Sequence, residues 1–200
     1  MHVKDKTGNT QGRLASPRKF RHREKGAEML ELALSLPFLL IMLVGIIDFG
    51  AAWATQDKLA NATRDGARVA VAEFNDTDNP QCPGVPCSVQ AAANTVIESL
   101  NSANVNTCGL TDATTTAPAP GAFTWTYTVT CANPYTITVE RAVPQAITSP
   151  TNQTVLCTRV TLVYTYNWNF ANVIPLLGVG PSSIVNTFNL QSQAIMVNSN

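Results

Sequence analysis

The chain has 200 residues, which is enough for one globular domain, or for one domain with an accessory segment. Only 13% of the residues are charged and the formal net charge is zero, which argues against a basic nucleic-acid-binding protein and against an acidic disordered tail. The only histidines are His2 and His22, so we expect no enzyme, no metal site, no cofactor and no small-molecule substrate.

The charges are distributed unevenly along the chain. Residues 1–26 have eight basic and two acidic side chains, which gives +6, whereas residues 27–68 carry −2 and residues 69–200 carry −4. Positively charged flanks of membrane helices stay in the cytoplasm. We therefore predict a basic cytoplasmic leader or tail over 1–26, and we expect the chain to leave the cytoplasm after it.

An apolar segment follows the basic one. Residues 32–47 are uncharged, and Asp48 is the only charged residue up to position 56. About 20 residues of helix cross the hydrocarbon core of a bilayer, so Asp48 falls near the outer boundary, where a carboxylate costs less than at the midplane. We predict a transmembrane helix over 27–56, with Pro37 tolerated in its first turns.

Three interpretations of this segment remain open. It is an uncleaved single-pass anchor, a secretory signal peptide, or a leader that is cut after Gly26 while the apolar helix is kept. For the second, Ala52-Trp53-Ala54 has the pattern of a cleavage site. Against it, the apolar run is slightly long and Asp48 interrupts it before the site.

The helical pattern continues outside the predicted membrane segment, over residues 57–74. This stretch has no proline, and its apolar side chains recur at helical intervals with polar and charged ones on the other side. The apolar positions are Leu59, Ala62, Ala67, Ala70 and Phe74. We predict one helix over about 28–74, whose external continuation packs beside a partner or under a sheet.

Residues 75–200 are predicted to form an external α+β domain. A loop over 75–87 precedes a helix over Val89–Leu100, with Ser88 as its N-cap, and a flexible connector lies around 111–121. Four runs then alternate with period 2, which predicts strands with one buried face each; they lie within 123–131, 135–139, 160–170 and 188–196. We expect a four-stranded antiparallel sheet covered by the second helix and by the outer part of the first.

The five cysteines all lie outside the predicted membrane segment, where an oxidising compartment favours disulfides. They are Cys82, Cys87, Cys108, Cys131 and Cys157. Two bridges and one free thiol can be arranged in about 15 ways, and we favour Cys82–Cys87, with Cys131 joined to Cys108 or to Cys157. The spacings match no zinc-binding pair, and the external part of the chain has no histidine to complete a metal site.

Three ordered motifs lie within residues 26–68. They are Gly26-Ala27-Glu28-Met29-Leu30-Glu31 with Pro37 after it, Asp48-Phe49-Gly50, and Asn61-Ala62-Thr63-Arg64-Asp65-Gly66-Ala67-Arg68. In this order they resemble the TadE/TadG-like family of pilus assembly proteins, the minor pilins or pseudopilins of the Flp (tight adherence) system. The resemblance implies a pilin-like fold and marks as motif residues Pro37, Asp48, Gly50, Asn61, Arg64, Gly66 and Arg68.

The same resemblance implies a processing site. The family pattern is a glycine, four residues, a glutamate and an aromatic; Gly26 and Glu31 keep this spacing, and Leu32 replaces the aromatic. A prepilin peptidase would cut after Gly26 and leave Ala27 as the new N-terminus. Glu31 would then neutralise the Ala27 amine of a neighbouring subunit, or would merely mark the inner lipid boundary; we favour the first role.

The sequence thus favours a single-pass protein of a bacterial inner membrane, with a cytoplasmic N-terminus and a periplasmic or extracellular head. We expect it to act in Flp pilus assembly through helix packing and its head domain, with membrane lipid and other pilus subunits as partners and without nucleic acid. The alternative is a membrane-anchored or secreted β-rich module for surface binding or adhesion.

Overall fold

A computed structural model describes residues 22–72, 82, 84–113, 123–147, 153–168 and 187–198. Within them lie two helices and four strands: α1 (His22–Ala72), α2 (Cys87–Ser102), β1 (Thr124–Val129), β2 (Tyr135–Ile147), β3 (Gln153–Asn167) and β4 (Thr187–Val197). The chain forms two compact units, residues 1–40 and 41–200. Predicted features outside the described residues are 1–21 of the leader, Phe74 with the loop after it to 81, 114–121 of the connector, and Phe170.

Helix α1 alone makes up the described part of the first unit. Its side chains from Gly26 to Leu40 are almost all exposed, and Pro37 lies inside the helix. The helix is long and apolar enough to cross a membrane, and none of its most apolar window is buried inside the protein. Because a core helix of a soluble protein hides such a window, the exposed window here calls for lipid or another apolar surface to cover it.

The second unit contains a sheet with the order β1-β2-β3-β4, in which every neighbouring pair is antiparallel. On β1 the buried residues are Trp125 and Tyr127, and the threonines between and beside them are exposed. Their partners on β2, Val139 and Ile137, are also buried. The predicted α+β class, with a long apolar helix and a four-stranded antiparallel sheet, is confirmed.

Strands β2 and β3 are longer than their sequence patterns predict. The register between them shifts between Glu140 and Val143, and Ala142 inside the shift has a φ of 57°. Beyond this bulge, pairing continues to Ile147 on β2 and Gln153 on β3. Most side chains there are exposed, so backbone pairing extends these strands without the apolar alternation by which a sequence reveals them.

The core lies between one face of the sheet and the two helices. Helix α1 contributes Leu59 and small side chains, whereas α2 and the sheet contribute larger aliphatic and aromatic ones. The buried members are Leu59, Ala62, Ala67, Ala70, Val89, Ala92, Ala93, Val96, Ile97, Leu100, Val105, Ala113, Trp125, Tyr127, Tyr135, Ile137, Val139, Val160, Leu162, Tyr164, Leu190 and Ala194. As predicted, the second helix and the outer part of the first cover the sheet.

The start of α2 corrects one prediction. The helix follows Pro86, whose carbonyl accepts hydrogen bonds from the amides of Val89 and Gln90, and no side chain caps it. Ser88 is therefore not the N-cap; it lies inside the first turn and is buried. Pro86 lacks an amide hydrogen and fixes its own φ near the helical value, so it can begin the helix without a capping hydroxyl.

Candidate functional site

The residues of the predicted processing site lie on the exposed first part of α1. Gly26, Ala27 and Glu31 are all exposed, and a Cβ built on Gly26 would meet no atom within 4 Å. All three are helical, because the helix already begins at His22. The structure therefore leaves this segment accessible to a peptidase or to a neighbouring subunit.

Asp48 connects α1 to the sheet. Its side chain is only 2% exposed, and the Tyr166 hydroxyl on β3 donates a hydrogen bond to its Oδ1 at 3.1 Å. Burial of Tyr166, together with this hydrogen bond, raises the pKa of the Tyr166 hydroxyl to about 12. A buried carboxylate needs such a donor, so Asp48 joins the helix to the head near the predicted outer boundary of the membrane.

Beyond Asp48, one stripe of α1 faces the rest of the second unit. Its members recur every three or four residues, as one side of an α-helix requires: Asp48, Ala52, Gln56, Leu59, Thr63, Gly66 and Ala70. Two of them bond to β4, because the Gln56 amide donates to the Gln191 carbonyl at 2.7 Å and the hydroxyls of Thr63 and Ser192 lie 3.0 Å apart. We call these seven residues the docking stripe.

Gly66 marks the closest approach of α1 to α2. A Cβ added there would lie 2.5 Å from Cγ2 of Val96 and 3.1 Å from the carbonyl oxygen of Ala92. No side chain fits at this crossing without moving α2, so close helix packing explains why the third motif has a glycine here.

The other motif residues of this stretch point away from the core. Asn61, Arg64 and Arg68 are exposed, and Arg68 pairs with Asp65 at 3.4 Å across one turn of the helix. The third motif therefore combines two faces, of which one packs the helix and the other meets solvent or a partner. Gly50 is also exposed, and a Cβ there would meet nothing within 4 Å.

Arg141 holds the C-terminal end of α1, a role that the sequence analysis missed. Its side chain is 4% exposed, and Nη2 donates to the Ala70 carbonyl at 3.4 Å and to the Ser88 hydroxyl. A cation at a helix C-terminus is favourable because unpaired carbonyls there carry partial negative charge. The alternation of Tyr135, Ile137 and Val139 was the available signal, since it puts position 141 next in the inward-facing series.

An apolar groove of about 630 Å³ lies beside the Asp48–Tyr166 bond. Its walls are Phe49, Ala52, Trp53 and Gln56 of α1, Trp168 just after β3, and Phe188, Asn189, Leu190 and Gln191 of β4. We call it the aromatic groove. Tyr166 meets Trp168 edge to face at 5.5 Å, and Trp168 in turn lies 6.3 Å from Phe188. The alternation predicted one buried face for the run within 160–170, but of its described members on that face only those up to Tyr164 are buried.

The cysteines form two pairs in the second unit. Cys82 is joined to Cys87 and Cys108 to Cys131, while Cys157 is a free thiol buried on β3. Of the two partners considered for Cys131, the structure thus selects Cys108. Within the described residues, no group of His, Cys, Asp and Glu side chains has the geometry of a metal site.

Comparison with known proteins identifies one part of the chain. Searches of curated proteins and of solved structures gave no match. The family model described as TadE-like protein matches residues 26–68, which run from the predicted processing site through the third motif. This agrees with the resemblance seen in the sequence: residues 26–68 of this chain are similar to TadE-like proteins.

Proposed function

We propose that the chain is a membrane-anchored minor pilin or pseudopilin that acts in the assembly of Flp (tight adherence) pili. One observation carries this proposal: the TadE-like match covers a single helix whose first part is apolar and exposed and whose second part is the docking stripe. Such a helix offers an apolar surface for lateral packing and holds a folded head at its other end.

The docking stripe favours a retained helix over a secretory leader. Cleavage after Ala54 would remove Asp48 and Ala52, both of which are buried in the head. Tyr166 would then lose the carboxylate to which it donates. A signal peptide is discarded after export and needs no polar contact with the mature protein, so this bond supports an anchored protein.

The proposed orientation in the membrane follows from the uneven distribution of charge along the chain. The +6 segment over 1–26 would stay on the cytoplasmic side of the bacterial inner membrane, residues 27–56 would span it, and the continuation over 57–74 and the domain over 75–200 would lie outside. The two disulfides suit that location, because periplasmic and extracellular compartments are oxidising.

The exposed N-terminal part of α1 would provide the assembly contacts. Cleavage after Gly26 by a prepilin peptidase would create a positive amine on Ala27, and the exposed Glu31 of a neighbouring pilus subunit would pair with it. In a low-dielectric membrane edge such a pairing is favoured over two separate charges, and it would set the axial register between neighbouring helices. The exposed apolar side chains around it would add lateral packing without sequence-specific polar contacts.

N-terminal sequencing of the protein from membranes of its host tests the proposal. We expect the mature chain to begin at Ala27. A start at Thr55 would contradict the anchor, because the span would be lost. An intact Met1 would contradict leader cleavage and leave an uncleaved membrane-anchored assembly protein.

Copurification with other pilus subunits tests the role of Glu31. We expect Glu31→Ala to reduce copurification while the protein stays in the membrane. Glu28→Ala is the matched control, since Glu28 is an exposed acid on the same helix one turn earlier. Equal behaviour of the two variants would contradict the pairing with the Ala27 amine.

A further inference from the structure

We infer that the aromatic groove is a lipid site: it lies in the outer interface of the membrane, and acyl chains of phospholipid fill it. The inference deepens the proposed function and rests on its membrane anchor. If lipid fills the groove, the end of the sheet that carries Trp168 and Phe188 holds the head against the bilayer surface, in addition to the helix.

The position of the groove along α1 carries the first step. A hydrocarbon core of ~30 Å takes about 20 helical residues, which counted from Leu32 end at Ala51. Phe49 and Trp53 therefore lie at the boundary between acyl chains and headgroups. Trp168 and Phe188 line the same groove, so the sheet end that carries them lies at the same level.

The chemistry of the groove carries the second step. Trp53 is 65% exposed and Phe188 52%, although both are large apolar side chains. Tryptophan is enriched where acyl chains meet headgroups, because its ring is apolar and its N–H is polar. Gln56, Asn189 and Gln191 complete the lining of the groove, and the Gln56 amide already donates to the Gln191 carbonyl, so the surface left for a ligand is mainly apolar, which suits acyl chains.

The distribution of charge carries the third step. Among the described residues that line the groove none is charged. Asp48, which precedes Phe49, is already buried and accepts a hydrogen bond from Tyr166, and the nearest charges along α1 on the outer side of the groove are Asp57 and Lys58. In the sequence, no charged residue follows Arg159, so the strands that form this end of the sheet bring no charge toward the lipid. Lipid that enters the groove therefore meets no charged side chain among the described residues of its walls. At about 630 Å³ the groove also has the size typical of small-molecule sites, about 300–1,000 Å³.

Bromolipid quenching of tryptophan fluorescence tests this inference on the full chain in phospholipid vesicles. The chain has three tryptophans, and Trp125 is 5% exposed in the core of the head. Trp53→Phe leaves Trp168 as the reporter of the sheet side, and Trp168→Phe leaves Trp53 as the reporter of the helix side. The double variant keeps only Trp125 and is the matched control; all three variants leave the core intact.

We expect lipids brominated near the headgroup end of the acyl chain to quench most of the emission of both Trp53 and Trp168, and to leave the double variant unquenched. Quenching of Trp53 without quenching of Trp168 would overturn the lipid site and leave the membrane anchor standing. Absence of quenching for both would contradict the anchor itself. The other occupant to test is a second copy of the chain. A high yield of disulfide-linked dimers of Phe188→Cys in vesicles, with Trp168 unquenched, would overturn the lipid site.

Discussion

The two parts of helix α1 have different surroundings, although the helix is continuous. Up to Ile47 it exposes large apolar side chains, whereas from Asp48 onward the docking stripe is buried against the head, apart from the half-buried Gln56. The first buried position is a carboxylate with a hydroxyl donor on the sheet. The difference shows that polar groups enter this helix where the protein supplies their partners, as expected at the end of a membrane span.

Among substitutions in α1, Gly66→Leu is expected to cause the largest loss of stability of the head. The new side chain would collide with Val96 and with the Ala92 carbonyl, so α2 must move off the core. Overpacking of this severity should lower the free energy of unfolding of the head by about 3 kcal/mol or more. Denaturant titration in detergent micelles measures this free energy of unfolding.

Gly50→Leu is the control for that change. It lies on the same helix, its Cβ would meet no atom within 4 Å, and leucine is the better helix former. We expect no loss of head stability. Equal losses for the two variants would contradict the close packing of α1 on α2.

Loss of the Cys108–Cys131 bridge should have the next largest effect. The bridge links residues 23 apart, and a disulfide that closes a loop of that length stabilises the folded state by about 3 kcal/mol. The paired variant Cys108→Ser with Cys131→Ser should destabilise the head and leave insertion of the apolar part of α1 unchanged. Cys82→Ser with Cys87→Ser is the control with a smaller expected loss, because those residues are only five apart.

Mass spectrometry after alkylation checks the pairing behind this prediction. The denatured chain without reductant should take up one alkyl group, on Cys157, and the reduced chain one on each of its five cysteines. Equal uptake with and without reductant would show that the bridges are absent.

Asp48→Ala should weaken the junction between the two parts of α1 by about 1–3 kcal/mol, because the Tyr166 hydroxyl loses its buried acceptor. Unfolding of the head by denaturant measures the loss. Asp65→Ala is the matched control, since Asp65 pairs with Arg68 at the surface and such pairs contribute at most about 1 kcal/mol. If Asp48→Ala cost no more than the control, the bond to Tyr166 would not hold the helix.

Alkaline pH should destabilise the head and spare the apolar part of α1. All four tyrosines lie in the sheet, and burial raises the pKa of each; for Tyr135 and Tyr166 it reaches about 12. The folded state therefore keeps protons that the unfolded chain loses near pH 10, so the contribution of the tyrosines to stability is fully present below about pH 10 and is lost as the pH rises toward 12. Tyrosinate absorbance should show no step near pH 10 in the folded protein and a normal one in denaturant.

The smallest effect on stability is expected from Arg64→Ala with Arg68→Ala on the exposed side of the third motif. Both side chains are exposed, so the free energy of unfolding should change by less than about 1 kcal/mol. A large loss would show that this face packs in the head. Copurification of pilus subunits with the same variant then reports whether the face meets a partner.

Periodic features could be predicted from the sequence and long-range contacts could not. The intervals of Leu59, Ala62 and Ala70 predicted the covering helix, and the alternation around Trp125 and Tyr127 predicted a strand. The contact of Asp48 with the sheet could not be predicted, because its partner Tyr166 lies 118 positions away and no local pattern links them. The Ser88 prediction failed for a related reason: Arg141, which is distant in the sequence, binds the hydroxyl.

The contacts of the docking stripe also fix an order of events during synthesis and folding. Gln56 and Thr63 on α1 bind Gln191 and Ser192 on β4, over separations of 135 and 129 residues. Helix α1 leaves the ribosome before any strand exists, while β4 is the last of the described elements to be made. The stripe therefore stays open and partly apolar until β4 has been made. Such non-local closure is slow, and the pairing of α1 with β4 is the step that completes the contacts of the stripe.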